Sequence, residues 1–164
     1  MDAEPSEQVT IRQARPGDLD AMAAITAEVF APAAIEAQIE QKLGRTGPAG
    51  WVELKADGLR REVLRHPGVC FVAERAGRVV GYVTCAVVAR ASRGRVADLA
   101  VSASCQARGI GRKLLLRALD RFRELGLKQA KIETLATNAA GQHLYPSVGF
   151  REVARQIHYV MPLG

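Results

Sequence analysis

Apolar and polar residues alternate from Val9 to Ala14, the two-residue period of a half-buried strand. Pro16-Gly17 breaks that period. Asp18 then stands where it would cap a helix whose apolar positions are Leu19, Met22, Ala23, Ile25, Val29 and Phe30. Ile35, Ile39 and Leu43 recur four apart in a second helical piece, which Gly44 stops. A Gly-Pro loop follows, and Trp51 to Leu64 predicts a helix in its later part, ending before His66-Pro67-Gly68.

Beyond Gly68 the period shortens. Val69 to Arg75 reads as a strand, Ala76-Gly77 as a tight turn, Arg78 to Ala89 as a long strand, and Arg95 to Val101 as a third. These three predict an antiparallel meander. Helical spacing returns from Gly109 to Leu125, with Ile110, Leu114, Leu115, Ala118, Leu119 and Phe122 on one face and Gly126 as its stop. Ala130 to Thr137 predicts a strand, so strand–helix–strand implies a right-handed parallel crossover. A short helix over Ala139 to Tyr145 and two last strands, Arg151 to Arg155 and Ile157 to Met161, complete the pattern. The order β–α–α–β–β–β–α–β–α–β–β is an α/β (α+β) layered fold on a mixed sheet. Residues 1–8 read as a short polar tail and residues 9–164 as a single domain.

Composition narrows the classes. Of 164 residues 48% are hydrophobic and 24% charged, which fits a folded domain and not a disordered chain. No apolar run is long enough for a bilayer, and the acidic N-terminus resembles no leader, so a cytoplasmic protein with no membrane partner is expected. The three cysteines, Cys70, Cys85 and Cys105, match neither a zinc nor a redox spacing and read as structural; Cys105 lies next to the glycine turn, where it could be exposed. The three histidines are scattered, so no metal is expected. Charge is uneven. Arg90 to Lys131 holds eleven Lys and Arg against three acids, leaving the rest of the chain at −2. No nucleic-acid recognition motif accompanies this stripe, and an anionic cofactor explains it more economically.

The chemistry centres on Val101-Ser-Ala-Ser-Cys-Gln-Ala-Arg-Gly-Ile-Gly111, where a strand ends, two glycines turn and a helix starts. Amides at a helix start lack intrahelical partners and carry positive potential, so the turn is an anion site. A Walker A loop would need Gly-Lys-Ser/Thr, but Arg112-Lys113-Leu114 follows Gly111. The dinucleotide fingerprint would need glycine where Leu114 stands. A plain turn before a helix is the remaining competitor.

Two blocks carry a resemblance to a known family. Leu99-Ala100-Val101 with Gln106-Ala107-Arg108-Gly109-Ile110-Gly111 resembles the Gln/Arg-x-x-Gly-x-Gly/Ala loop of the GNAT superfamily of acyl-CoA-dependent N-acyltransferases. Asn138, Gly141, Leu144-Tyr145 and Gly149-Phe150 resemble its Asn-x-x-Ala-x-x-Leu-Tyr-x-x-x-Gly-Phe block. The likeness covers nearly the whole chain. It implies a sheet whose fourth and fifth strands splay apart and an N-acetyltransferase using acetyl-CoA as co-substrate. The amides of Gln106 to Gly111 would hold the pyrophosphate, with Arg108, Arg112 or Lys113 adding charge. The edge of Leu99, Ala100 and Val101 would bind the pantetheine arm. Asn138 would contact the arm or order the following loop, and Tyr145 would be the general acid.

The implied reaction is attack of a primary amine on a thioester. The tetrahedral oxyanion wants an amide, for which Val101 N–H is the candidate. The leaving thiolate, whose conjugate acid has a pKa of about 8.5, wants a proton. Arg95 occupies the region where related enzymes often carry a Glu, which leaves Asp98, Glu53, Glu74 or a water relay as base. Pro146 is expected to end the short helix at Tyr145 and to re-aim the phenol. Gly141 in place of alanine is expected to matter little. Trp51 reads as core in preference to pocket. The acceptor is open among small amines, amino acids, antibiotics and protein N-termini. A homodimer through the sheet edge or last strands is an expectation. The alternatives are a non-catalytic acyl-CoA-binding regulator and a nucleic-acid-binding module.

Overall fold

The computed structural model describes residues 8–164, so residues 1–7 of the expected polar tail lie outside the described ones. Strand β1 (Thr10–Gln13) leads into helix α1 (Leu19–Val29), followed by α2 (Ile35–Leu43) and α3 (Trp51–Arg65). Strands β2 (Phe71–Arg75), β3 (Arg78–Val88) and β4 (Arg93–Val101) form the expected meander. Helix α4 (Ile110–Glu124), β5 (Gln129–Ile132) and α5 (Ala139–Ser147) follow. The sheet order is β1-β2-β3-β4-β5. The first three pairings are antiparallel, and β4 pairs with β5 in parallel.

Strand alternation sorts side chains onto two helical layers. Phe71, Ala73, Val83, Cys85 and Val96 pack with Ile110, Leu114, Leu115, Ala118 and Phe122 of α4. Cys70, Val72, Tyr82 and Ala100 face the other way and pack with Met22, Ile25, Phe30, Leu59 and Val63. Gly94 lets α4 approach: a Cβ there would lie 2.4 Å from the Phe122 ring.

Several elements depart from expectation, β5 among them: it stops at Ile132 and not at Thr137. Helix α3 begins at Trp51, not in its later part, because two carboxylates satisfy its first amides. Gly50 N–H donates to Glu53 Oε2 at 2.7 Å and Trp51 N–H to Glu40 Oε2 at 2.8 Å. Asp18 gives α1 no side-chain cap. Both its oxygens take the Arg12 guanidinium at 2.8 Å, and Oδ2 also accepts from Arg15 N–H at 2.7 Å. The two last strands do not form. Residues 151–164 carry no strand and are exposed throughout, and β5 ends the sheet. Their alternating apolar residues therefore find no inner face to bury, and Val153 and Tyr159 are 95% and 89% exposed.

Candidate functional site

The site is built by a bulge. Cys85 pairs with Val96 and Thr84 with Asp98, so Ala97 is an extra residue in β4. The bulge reverses the side-chain alternation. Val96 faces α4, whereas Asp98 and Ala100 face the α1–α3 layer. Beyond the bulge β4 also loses β5: parallel pairing runs from Arg93↔Gln129 to Val96↔Ile132 and stops there. A cavity of about 360 Å³ opens on this side. Ala97, Asp98 and Leu99 form one wall, and Glu133, Thr134 and Leu135 form another.

The edge of β4 along this opening is available to a ligand. Ser102 N–H donates to Val80 O at 2.9 Å, which makes Gly81↔Val101 a non-hydrogen-bonded pair across β3 and β4. Val101 N–H therefore points to the β5 side, where no strand is paired with it. The Val101 carbonyl accepts from Gln106 Nε2 at 3.0 Å, so Gln106 fastens the loop to the strand end.

The loop reaches α4 through two left-handed residues, Ala107 at φ 59° and Gly109 at φ 74°. Such alternation of backbone hand gathers amide N–H groups into an anion-binding concavity. Gly109 O accepts from Lys113 N–H at 3.0 Å, the first bond of the helix, so the amides of Ile110, Gly111 and Arg112 have no partner within α4. Ala107, Arg108 and Gly109 are exposed, while Ile110 is buried and anchors the turn. Arg112 is held elsewhere: its Nη1 donates to Ser147 Oγ at 3.0 Å and Ser147 O at 3.3 Å. Arg108, Arg112 and Lys113 are all exposed beside the loop, and of the three Arg112 is the one bonded to Ser147. Much of the remaining basic stripe is paired, Arg95 with Glu62 and Glu133, Arg117 and Arg121 with Glu124, and Arg123 with Asp120.

Helix α5 supplies the third side. Asn138 caps it: Oδ1 accepts from Gly141 N–H at 3.2 Å, and Nδ2 donates to Thr134 Oγ1 at 2.9 Å. Gly141 matters more than expected. A Cβ there would stand 2.7 Å from Asn138 Nδ2 and 2.9 Å from Tyr145 Cε2, so only glycine lets cap and ring close over it. Pro146 does not stop the helix, which continues to Ser147. The Tyr145 carbonyl accepts from Val148 N–H at 3.2 Å and Phe150 N–H at 3.1 Å. Tyr145 lies edge-on to Phe150, with centroids 6.2 Å apart. Burial pushes its phenol up to about 12, with the Asp98 charge adding to the shift.

Of the candidate bases, only Asp98 shares the cavity with Tyr145. Glu53 caps α3, and Glu74 accepts from Arg12 Nε at 2.8 Å. Asp98 is buried. It accepts from Thr84 Oγ1 at 3.4 Å and from Lys55 Nζ, and the Lys55 ammonium also sits 4.5 Å from the Phe30 ring centre. Sequence reasoning passed over Lys55. Its signal was the helical stripe it shares with Leu59 and Val63, one turn before the buried face. Glu36, Glu133 and His158 also border the cavity. Trp51 packs against the α1–α3 core. Cys105 is buried and packs in the α4 core beside the loop, the structural role its spacing suggests. Among the described residues no cluster of metal-ligating side chains occurs, and no helix is long and apolar enough to cross a membrane.

A mixed sheet opened between two parallel strands, beside a glycine-turn helix start, is the architecture of the acyl-CoA N-acyltransferases. The model of the acetyltransferase (GNAT) family matches residues 36–150, and the chain belongs to that family. It is 30% identical over 159 residues to a mycothiol acetyltransferase of Thermobispora bispora, covering 93% of this chain and 50% of that protein. It is 31% identical over 97 residues to an N-alpha-acetyltransferase of Arabidopsis thaliana, covering 58% and 51%. The chain thus spans about half the length of these curated relatives. Among solved structures, the ribosomal-protein-alanine N-acetyltransferase from Brucella melitensis superposes with a TM-score of 0.63 at 26% identity, covering 88% of this chain and 86% of that one. The PaiA N-acetyltransferase from Thermoplasma acidophilum, in complex with coenzyme A, gives a TM-score of 0.70 at 18% identity, covering 88% and 90%.

Proposed function

We propose that this chain is an N-acetyltransferase that moves an acetyl group from acetyl-CoA to a primary amine. The observation that carries this reading is the end of β4–β5 pairing at Val96↔Ile132, which leaves the β4 edge through Val101 open beside Tyr145. Leu99 to Val101 binds the pantetheine arm as an added strand. The amides from Gln106 to Gly111 take the pyrophosphate, with Arg108 and Lys113 adding charge. Arg112 and Asn138 act at one remove, by fixing α5 to α4 and by capping α5.

The amine nitrogen attacks the thioester carbon, and Val101 N–H donates to the oxyanion that forms. Asp98 receives the proton released by the amine. Tyr145 protonates the departing sulfur, and its raised pKa keeps the phenol protonated at neutral pH. Around the acceptor side the cavity wall carries the Lys55–Asp98 and Arg95–Glu133 ion pairs, with Glu36 as a further carboxylate that an amine could meet.

The test is a thiol-release screen with acetyl-CoA across small amines, amino acids, aminoglycosides and peptide N-termini. Turnover with at least one amine class is expected. Coenzyme binding without turnover on any class would instead favour an acyl-CoA-binding regulator.

A further inference from the structure

The acceptor side already contains a primary amine. Lys55 projects from the first turns of α3, and its Nζ donates to Asp98 Oδ1 while lying over the Phe30 ring. That carboxylate is itself buried at 7% exposure and lies just past the bulge, where β4 still pairs with β3 but no longer with β5. Lys55, Asp98, Leu99 and Tyr145 border one cavity. The other four lysines of the chain, Lys42, Lys113, Lys128 and Lys131, are exposed. Among the lysines, Lys55 alone combines an amine nitrogen, a carboxylate in contact with it and a place on the cavity that Leu99 and Tyr145 also line.

We propose that Lys55 is a self-acetylation site, modified in cis by acetyl-CoA bound in the same cleft; this rests on the acetyltransferase reading above. The ammonium gives one proton to Asp98, which releases it to solvent. The freed lone pair of Nζ attacks the thioester carbon, forming the C–N bond. The adduct loses its second N–H proton as the C–S bond breaks. The leaving sulfur takes a proton from Tyr145, whose phenolate is restored by the proton the adduct lost. The products are Nε-acetyl-Lys55, free coenzyme A thiol and one proton. No co-reactant is required, and pre-placement of the amine replaces the encounter with an external acceptor. The modification exchanges a cation for a neutral amide at the wall of the acceptor cavity.

The experiment incubates the whole chain with acetyl-CoA and no added amine, followed by intact mass and peptide mapping. One acetyl group at Lys55 is expected, with a fraction modified per unit time that is independent of protein concentration and suppressed by excess free coenzyme A. Lys55→Arg should lack it, and Tyr145→Phe should acquire it about 10²-fold more slowly. If acetyl-CoA raises the melting temperature while Lys55 is labelled no faster than Lys113 or Lys128, the self-acetylation inference falls and the function stands. A fraction modified per unit time that rises in proportion to protein concentration overturns the in-cis step. Absence of any melting shift with acetyl-CoA overturns the acetyltransferase reading and this inference with it.

Discussion

Val96 and Asp98 are two residues apart in one strand, yet their side chains face opposite sides of the sheet. In a regular strand both would meet α4. The extra residue Ala97 sends Asp98 to the α1–α3 side, where Lys55 and Thr84 hold it. One backbone irregularity therefore turns toward the cavity the only carboxylate among the candidate bases that borders it with Tyr145, and β4–β5 pairing stops beside it at Val96↔Ile132.

Asp98→Asn keeps the shape of this residue and removes its ability to take a proton. The expected result is a loss of kcat/KM for the acceptor amine of about 10²-fold, the usual worth of a positioned base. Coenzyme binding, which uses the loop and the strand edge, should be retained. Steady-state kinetics on the variant decide it, and an unchanged kcat/KM assigns proton removal to water.

Tyr145→Phe removes one oxygen and keeps the ring against Phe150. If the phenol protonates the leaving sulfur, kcat falls about 10²-fold while the KM for acetyl-CoA changes little, because the lost interaction belongs to the transition state. The wild-type pH profile offers a second reading. Burial holds the phenol protonated up to about pH 12, so Tyr145 should impose no loss of activity between pH 8 and 10. A decline in that window that vanishes in the phenylalanine variant would contradict the shift.

Gly141→Ala tests whether the cap and the phenol form one unit. Its Cβ would press on Asn138 Nδ2 at 2.7 Å and on the Tyr145 ring at 2.9 Å. Relief requires α5 to shift, at a cost of about 1–3 kcal/mol. We expect a lower melting temperature and reduced kcat, with coenzyme affinity preserved. Wild-type kcat in the alanine variant would uncouple the glycine from the phenol.

Much of this was legible in the chain. The α4 stripe from Ile110 to Phe122 is strongly periodic and buries as its spacing requires. The glycine turn before it was readable because backbone chemistry, not packing, dictates it. Three features were not readable. The bulge at Ala97 depends on the partner strand, and nothing in Arg-Gly-Arg-Val-Ala-Asp-Leu signals it. Pro146 was expected to stop α5, yet the bonds that close its last turn come from amides beyond the proline. The segment from Arg151 onward alternates like a strand but pairs with none, although β5 is an edge strand: alternation reports propensity and does not supply a partner.

Arg12 ties β1 to the turn before α1 through Asp18 and to β2 through Glu74. The Arg12 contact, more than any other, lowers the Asp18 pKa. A lowered carboxylate contributes stability that is present above its ordinary pKa of about 3.9 and is lost as pH falls through the folded value. Arg12→Ala should cost about 2 kcal/mol near neutrality, the scale of hydrogen bonds to a charged group. The gap to wild type should narrow below about pH 4. Denaturant midpoints measured across pH check both statements, and a gap constant down to pH 2 would mean that Asp18 plays no part in it.

The loop prediction separates phosphate binding from folding. Saturating acetyl-CoA should raise the melting temperature, since a ligand at a hundredfold excess over its Kd stabilises by about 2.7 kcal/mol. Gly109 is the position to perturb. Its φ of 74° is left-handed, and no atom lies within 4 Å of where a Cβ would stand. Gly109→Val therefore meets no clash. It carries backbone strain of about 1–2 kcal/mol and places a branched side chain where the phosphates would approach the amides. The variant should fold with a modestly lower melting temperature and show a much smaller shift with acetyl-CoA. Gly111→Ala is the paired control. Its Cβ would sit 3.7 Å from Val101 Cγ2 and 3.8 Å from Leu144 Cδ2, ordinary contact distances, so the helix start should tolerate it. A folded Gly109→Val protein with the full wild-type shift would move the pyrophosphate away from this turn. The same shift lost equally in Gly111→Ala would mean that the amides beyond Gly109 tolerate no added atom at all.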